Sequence, residues 1–191
     1  MNDLNVRGMA CPLPVVSVKR ALESAEGELR VLLDDGAPRE NVRRFAEGRG
    51  YLVREEPLEG GFAFTISGAA KTETAPAGRA GATIMLIGTD RMGEGSDELG
   101  RLLMKNFIMT LVELKELPDR ILFVNSGVLL AVEGSEVVEA LEALGNRGVE
   151  VLSCGLCLDF FKKKELLAAG GVTNMLTIAE SLLQARSVVR L

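Results

Sequence analysis

The reactive chemistry of this chain rests on three cysteines. Cys11 begins the stretch Cys11-Pro12-Leu13-Pro14, and the other two form the motif Cys154-x-x-Cys157. The chain has no histidine, which excludes Ser-His-Asp and Cys-His catalysis and the usual histidine-containing zinc sites. A thiol nucleophile here must therefore be activated by a helix dipole, a cation or a second thiol.

The residues after Cys11 predict that this cysteine lies at or just before the N-terminus of a helix. Pro12 and Pro14 suit a first helical turn, and they are expected to leave the N–H groups of Leu13 and Val15 free to face the sulfur. The positive end of the helix dipole favours a thiolate at such a position. Alternatively, the prolines only start a helix and Cys11 is a small buried residue. The predicted helix has apolar residues at three- and four-residue steps, at Val15, Val18, Leu22 and Ala25.

The stretch from Asn5 to Pro14, NVRGMACPLP, resembles the signature of TusA-like (SirA-like) sulfur carriers. The resemblance implies that Cys11 carries sulfur as a persulfide. The supporting residues that it implies are Arg7, Gly8, Pro12 and Pro14. Asn5 stands where the family often has an acidic residue.

Cys154 and Cys157 have the spacing of a thiol pair that can form a disulfide, supply half of a metal site or pass sulfur between its members. A metal site is disfavoured and none is predicted, because Cys11 is the only other thiol. A thioredoxin-like site has the right spacing, but the order of strands and helices differs and no cis-proline candidate is obvious. The remaining alternative is that two small apolar residues close a strand.

The first 67 residues predict the element order βαβαββ. Strands are expected at residues 4–7, 28–33 and 51–55, and a fourth where Phe62, Phe64 and Ile66 alternate with smaller residues. This order predicts a two-layer sandwich with a sheet on one side and two helices on the other. Residues 68–82 have no periodicity and are rich in Ala, Gly and Thr, which predicts a flexible linker.

Residues 83–191 alternate apolar strands with helices. Strands are expected at 84–87, 121–124, 149–152 and 188–189, and helices at about 99–114, 138–144 after a Ser135 cap, 163–168 and 174–185. This alternation predicts a three-layer α/β/α domain with a mainly parallel sheet. The first of these helices is expected to bear an apolar face of Leu99, Leu102, Leu103, Phe107, Leu111 and Leu114.

Polar stretches follow three of these strands. They are Gly88-Thr89-Asp90, Asn125-Ser126-Gly127 and the segment from Cys154 to Cys157. Ligands bind outside the carboxyl ends of parallel strands, so we expect the three stretches to converge on one edge, although each also suits an ordinary turn. The residues predicted to bind substrate there are Asp90, Asn125, Ser126, Gly127 and Gly155.

Residues 83–187 resemble a DsrE-like domain, in the stretches DELG at 97–100, NSGV at 125–128, EGSE at 133–136 and SCGLCLDF at 153–160. The whole chain resembles YedF proteins, which join a TusA-like to a DsrE-like domain and are associated with selenium metabolism. The resemblance implies a sulfurtransferase-like role in handling sulfur or selenium, and assembly into homo-oligomers.

Composition excludes several other classes of function. The net charge is −5 and neither half is basic, so nucleic-acid binding is not expected. We see no membrane-spanning run and no signal peptide, and three cysteines do not suggest a disulfide framework, so a cytoplasmic protein is expected. Residues 93–98 only half match a dinucleotide-binding loop, because Glu98 replaces its third glycine.

Together these features predict a sulfur or selenium carrier or transfer protein without a cofactor. Cys11 would accept a persulfide or perselenide and relay it to or from Cys154 and Cys157, with sulfur or selenium donor and acceptor proteins as partners. The alternatives are a thiol–disulfide redox protein that uses Cys154 and Cys157, and a non-enzymatic regulatory module.

Overall fold

The computed structural model describes residues 2–10, 12–24, 27–68 and 81–191. They form two compact units, each with its own sheet and hydrophobic core. The predicted fold class is confirmed, with a mixed sheet in the first unit and a parallel sheet in the second. The domain bounds 1–67 and 83–191 stay predictions, and residues 69–80 of the predicted linker lie outside the described residues.

The first unit has the predicted element order. Its elements are β1 Asn2–Asn5, α1 Leu13–Ser24, β2 Leu29–Leu33, α2 Ala37–Gly48, β3 Leu52–Leu58 and β4 Gly61–Ser67. The strand order in its sheet is β1-β2-β4-β3. β1 and β2 are parallel, whereas β4 is antiparallel to both of its neighbours.

One face of this first sheet is buried because buried and more exposed residues alternate along its strands. On β2, Leu29, Val31 and Leu33 are buried and the residues between them are partly exposed. Phe64 and Ile66 of β4 join the same core. The two helices cover this face with Val15, Val18, Val42, Phe45 and Ala46.

The second unit alternates strands with helices and has a five-stranded sheet. Its strands are β5 Thr83–Ile87, β6 Arg120–Phe123, β7 Glu150–Cys154, β8 Gly171–Thr173 and β9 Ser187–Arg190. All neighbouring strands are parallel, in the order β8-β7-β6-β5-β9. The helices are α3 Asp97–Leu111, α4 Val138–Asn146, α5 Gly155–Phe160 and α6 Met175–Gln184, with 3₁₀ helices at Asn125–Ala131 and Lys164–Leu166.

Both faces of the second sheet are covered. Ile121 and Phe123 of β6 pack into a core that α3 and α4 complete, while Leu122 faces a second cluster with Ile178 of α6. Every residue of β6 is consequently buried. This is why the strand sequences are continuously apolar rather than alternating.

The apolar face predicted for α3 is wrong at four of its six positions. Leu99, Leu102 and Leu103 are 53%, 53% and 43% exposed. Leu114 is also exposed and lies beyond the end of the helix. Leu111 is buried as predicted and Phe107 packs against the core, while the other buried positions are Gly100, Met104 and Ile108.

Gly100 gives the physical reason for this rotation of α3. The carbonyl of Gly100 accepts the N–H of Met92 at 2.9 Å. A Cβ at position 100 would lie 3.0 Å from the Cβ of Arg91. The residue without a side chain therefore faces the preceding loop, which turns the leucines on either side of it outward.

Several element ends also differ from the prediction. Ser135 does not cap α4: its Oγ accepts the N–H of Val137 at 3.4 Å, in a turn that precedes the helix. The helix expected at 163–168 is the single 3₁₀ turn Lys164–Leu166. β8 and α5 were not predicted, because three and six residues are too few to show a period.

Candidate functional site

The first candidate site surrounds Cys11, which itself lies outside the described residues. The loop that precedes it is held by Gly8, which has a φ of +72°. This conformation is easily reached by glycine. The N–H of Gly8 donates to Oδ2 of Asp34 at 2.5 Å. This bond ties the loop to the residue that follows β2.

Asn5 and Arg7 shape the same loop. Oδ1 of Asn5 accepts the N–H of Arg7 at 3.1 Å, as in an Asx turn. A carboxylate oxygen would make the same bond, so the asparagine found in place of the expected acidic residue preserves this turn. Nε of Arg7 is buried and has no hydrogen-bond partner among the described residues.

Helix α1 begins at Leu13, between the two prolines. Pro14 is buried together with Val15, and Pro12 is partly buried. The prediction that the Leu13 N–H is free is wrong, because it donates to the carbonyl of Ala10 at 2.9 Å. One of the two donors expected to face the sulfur is therefore already engaged in a turn.

The second candidate site is the junction of β7 and α5. Cys154 is the last residue of β7, Gly155 is the first of α5, and Cys157 lies in the first turn of that helix. Both cysteines are free thiols. Cys154 is only 1% exposed, whereas Cys157 is partly exposed. The two thiols of the motif thus differ sharply in their access to solvent.

The thiol of Cys154 is held against Cys157. Cys157 packs against the apolar cluster that contains Cys154, and the backbone N–H groups of Cys157 and Leu156 near the Cys154 thiol favour its charged form. Burial raises the pKa of Cys154 to about 11, although the N–H donors act in the opposite direction. Cys154 is therefore protonated at neutral pH.

The sulfur of Cys157 has a donor from another strand end. It accepts the backbone N–H of Asn125 at 3.1 Å. Asn125 is the second residue after the end of β6. It has a φ of +50°, a conformation that asparagine tolerates better than most residues. An N–H aimed at the sulfur stabilises negative charge that develops there.

Asp90 and Ser126 connect the remaining two polar stretches. The hydroxyl of Ser126 donates to Oδ1 of Asp90 at 3.2 Å and accepts the Asp90 N–H at 3.3 Å. Nε of Arg101 donates to Oδ2 of Asp90 at 3.4 Å. The segments after β5, β6 and β7 are therefore linked in series by hydrogen bonds, from Asp90 through Ser126 and Asn125 to Cys157.

A groove of about 450 Å³ is lined in part by Asp90. Its walls come from α3 and residues 129–137, and they carry the cations Arg101 and Lys105. Lys105 forms an ion pair with Glu136 across the groove. Among the described residues that line it, Asp90 is present and the two cysteines are not.

The two glycines predicted to bind substrate are buried. A Cβ at Gly127 would lie 2.3 Å from the carbonyl oxygen of Ile87. Gly127 is thus required for the 3₁₀ helix after β6 to pack against the end of β5. The structure brings Asp90, Asn125, Ser126, Gly127 and Gly155 to the same edge of the sheet, and their role in substrate binding stays a prediction.

Two buried hydroxyl groups near the thiols were missed by the sequence reasoning. Ser153 and Thr173 have no hydrogen-bond partner for their hydroxyls among the described residues. Thr173 is the partner of Cys154 in the register of β7 and β8. Ser153 could have been noticed as a polar residue in an apolar strand, whereas Thr173 lies in the strand that was not predicted.

The described residues contain no cluster of three or more Cys, Asp or Glu side chains that could bind a metal ion. Within the same residues, no helix has the length and apolar character needed to cross a membrane.

Comparison with known proteins defines the class of the first unit as a sulfurtransferase-like fold. Residues 2–68 match the family described as Sulfurtransferase TusA. A protein of Methanocaldococcus jannaschii, named as a candidate sulfur carrier, is 44% identical over 69 residues, which are 35% of this chain and 92% of that protein. Through these residues the chain belongs to the TusA family.

Two solved structures are also similar to parts of the chain. A SirA-like protein from Desulfitobacterium hafniense is 34% identical, with 36% of this chain and 99% of that chain covered and a TM-score of 0.34. The YchN protein of E. coli is 18% identical, with 58% and 99% covered and a TM-score of 0.46. The family match and the relative support sulfur carriage or transfer in general.

Proposed function

We propose that this protein accepts sulfur or selenium on Cys11 as a persulfide or perselenide and relays it to or from Cys154 and Cys157. The observation that carries the proposal is the match of residues 2–68 to the TusA family, together with the Cys11-Pro12-Leu13-Pro14 motif within them. Arg7 and Gly8 are assigned to shaping the loop before Cys11, and Pro12 and Pro14 to the start of α1.

The proposal includes a DsrE-like second unit in a chain of the YedF type. It is supported by the four sequence stretches that resemble those proteins. The position of the thiol pair at the carboxyl end of β7, where ligands of parallel sheets bind, supports it as well. Selenium follows from the same resemblance, and the thiol chemistry is alike for both elements.

The relay requires the two thiol sites to meet, either within one chain or between subunits of a homo-oligomer. Residues 68–82 are proposed to be a linker of fifteen residues, with a root-mean-square span of roughly 20 Å if flexible and at most about 50 Å if extended. Such a tether raises the effective concentration of one thiol at the other toward the millimolar range. A weak contact would then suffice for transfer.

Intact-mass spectrometry tests the carrier function directly. The full chain is incubated with a low-molecular-weight persulfide, and the modified cysteine is located by peptide mapping. We expect one added sulfur on Cys11 and none at position 11 in Cys11→Ser. A chain with Cys154→Ser and Cys157→Ser serves as the matched control and should still load Cys11. No added sulfur on Cys11 in either chain would contradict the carrier function.

The relay is tested by loading Cys11 with labelled sulfur and following the label to the second unit. Transfer in the intact chain should exceed transfer between two separate chains, one with only Cys11 and one with only the Cys154–Cys157 pair. Equal transfer in the two cases, or no transfer in the intact chain, would eliminate the tethered relay. A selenium-loaded sample in parallel decides whether both elements are carried.

A thiol–disulfide redox protein is the second candidate, and the packing of Cys157 against the cluster that contains Cys154 favours it. The mass of the peptide that contains Cys11 distinguishes the two functions, because a carrier gains a sulfur atom there whereas a redox protein only loses two hydrogens at the Cys154–Cys157 pair. Oxidation of the pair by a disulfide substrate, without any loading of Cys11, would favour the redox function.

A further inference from the structure

We propose that Cys157 receives the cargo in the second unit and that Cys154 then discharges it, releasing sulfide and leaving a Cys154–Cys157 disulfide. This inference rests on the proposed function, because it requires sulfur to arrive at the second unit as a persulfide. It goes beyond that function by assigning separate roles to the two thiols and by naming the product. With selenium as cargo the product is selenide.

The receiving role falls to Cys157 because of access. Cys157 is partly exposed, whereas Cys154 is 1% exposed at the end of a central strand. A donor on another protein or unit therefore reaches the partly exposed Cys157 more readily than the buried Cys154. The N–H of Asn125, 3.1 Å from that sulfur, stabilises the negative charge that it carries before attack.

The discharging role falls to Cys154 because of its contact. Cys154 ends β7, three positions before Cys157 in the first turn of α5, and it belongs to the apolar cluster against which Cys157 packs, so it lies next to the sulfur that Cys157 retains when a second sulfur is added. In a Cys157 persulfide that retained atom is the inner sulfur, which a second thiolate must attack to form a disulfide. The buried thiol therefore faces the atom at which release of the outer sulfur begins.

The two steps balance in atoms and electrons. In the first, the Cys157 thiolate attacks the outer sulfur of a donor persulfide, R–S–SH, which gives Cys157–S–SH and releases R–S⁻. In the second, Cys154 loses its proton to solvent and attacks Sγ of Cys157, and the bond to the outer sulfur breaks. HS⁻ leaves with the electron pair of that bond.

The two thiolates together lose two electrons, and the transferred sulfur gains them. One turnover therefore consumes no oxidant and no reductant. A second turnover requires an external dithiol that reduces the Cys154–Cys157 disulfide and becomes oxidised itself.

Burial of Cys154 sets the rate of the second step. Its pKa is raised to about 11, so only a small fraction is thiolate at neutral pH. The Cys157 persulfide consequently persists long enough to be passed to an acceptor protein, and release as sulfide is the slower outcome. Below that pKa, the thiolate fraction of Cys154 and the rate of release should both rise about tenfold per pH unit.

The test uses the full reduced chain with Cys11→Ser, so that only the second unit is loaded. It is mixed with one equivalent of glutathione persulfide without any other reductant, and sulfide is measured against a protein-free control. We expect about one sulfide per chain, together with a loss of two hydrogens from the protein. The same chain with Cys154→Ser should instead retain a persulfide on Cys157 and release none.

Cys154→Ala in the same chain gives a second test of the persulfide if serine disturbs the buried position. The chain with Cys157→Ser should neither retain sulfur nor release sulfide. A persulfide that persists on Cys157 at pH 9 while Cys154 is present, without disulfide or sulfide, would overturn the inference. So would a persulfide found on Cys154 rather than Cys157.

These results separate the inference from the function on which it rests. Failure of the proposed function appears as no sulfur on Cys11 of the wild-type chain. Failure of the inference appears as sulfur that loads onto the second unit and stays there at pH 9 while Cys154 is present. If the chain with Cys11→Ser and Cys154→Ser carries no sulfur on Cys157, the receiving role of Cys157 is refuted. This holds whether or not Cys11 of the wild-type chain is loaded.

Discussion

The two units place their candidate cysteines at the same kind of junction but support them differently. Cys11 falls in sequence between β1 and α1, and the loop before it is shaped by a local bond from Arg7 to Asn5 and held by one bond from Gly8 to Asp34 after β2. Cys154 and Cys157 lie where β7 runs directly into α5, and their surroundings come from the ends of two more strands. A short signature therefore identifies the first site, whereas the second depends on contacts between distant parts of the chain.

The comparison is tested most strongly by thiol reactivity, measured by alkylation of single-cysteine variants. Cys154, with its pKa raised to about 11 by burial, has a thiolate fraction of about one in ten thousand at pH 7. Cys11 is expected to be the most reactive of the three, because the start of a helix favours a thiolate. We expect Cys154 to react at least about 100-fold more slowly than Cys11 at pH 7.

The pH profile gives the control for this expectation. The alkylation rate of Cys154 should still be rising at pH 10, whereas that of Cys11 should level off well below it. The raised pKa also means that the folded state loses stability as pH rises from about 9 to about 11, since the unfolded thiol ionises first. A Cys11 that titrates like a free thiol, with a pKa near ~8.5, would contradict its activation.

How far the sequence predicts the fold depends on the length of each pattern. The alternation in β2 and β4 and the continuous apolar runs of β5 and β6 correctly predicted a two-layer first unit and a parallel sheet in the second. The spacing of apolar residues predicted the wrong buried positions for most of α3. The number of leucines does not decide which face is buried when a glycine must face the neighbouring loop. Elements such as β8 are too short to carry any period.

The candidate sites also have features that the sequence predicts and features that it does not. Spacing revealed the Cys154-x-x-Cys157 pair, but not that one thiol is buried and the other accessible, since both lie in the same short junction. The donor to Cys157 is a backbone N–H of Asn125, which no side-chain pattern can reveal. The Leu13 N–H was wrongly predicted to be free because its acceptor, the carbonyl of Ala10, also belongs to the backbone.

The dependence of the second site on packed strand ends predicts a large effect of Gly127→Ala. Its Cβ would meet the carbonyl oxygen of Ile87 at 2.3 Å, so the backbone must shift, with a loss of about 2–4 kcal/mol in the free energy of unfolding of the second unit. Gly145→Ala is the matched control, since its Cβ meets nothing within 4 Å. In α4 it should cause no loss.

The chain offers a probe of the first unit alone and a probe of both units together in this measurement. It has one tyrosine and no tryptophan, so intrinsic fluorescence reports Tyr51 at the start of β3 in the first unit. Circular dichroism at a helical wavelength follows both units. A Gly127→Ala chain in which the Tyr51 transition shifts as much as the dichroism would contradict independent folding of the units.

Limited proteolysis addresses the predicted domain bounds. The first cuts are expected within residues 68–82, because that stretch has the composition of a linker. The fragments should correspond to residues 1–67 and 83–191. An initial cut inside the exposed α3 leucine face or elsewhere in either unit would show that the bounds are wrong.

The smallest expected effect concerns an ion pair that holds a helix of the first unit to its sheet. Glu55 on β3 accepts from Nε and Nη2 of Arg39 on α2 at 3.0 and 2.7 Å, and the Arg39 guanidinium lies 3.8 Å above the ring of Phe62. The hydrogen bonds from Arg39 lower the pKa of Glu55. A carboxylate with a lowered folded pKa stabilises the fold above its unfolded pKa, and this contribution is lost as pH falls through the folded value.

Glu55→Gln should therefore reduce the stability of the first unit slightly at pH 7. The variant should also lose less stability than the wild-type chain as pH falls below about 4.5. The effect should be much smaller than that of Gly127→Ala, because the pair is partly solvated. Glu56→Gln, at the exposed neighbouring position, is the control. Acid titrations followed by Tyr51 fluorescence give the comparison. If Glu55→Gln and Glu56→Gln have the same acid midpoint, the ion pair does not contribute, and the apolar contacts of α2 alone hold it to the sheet.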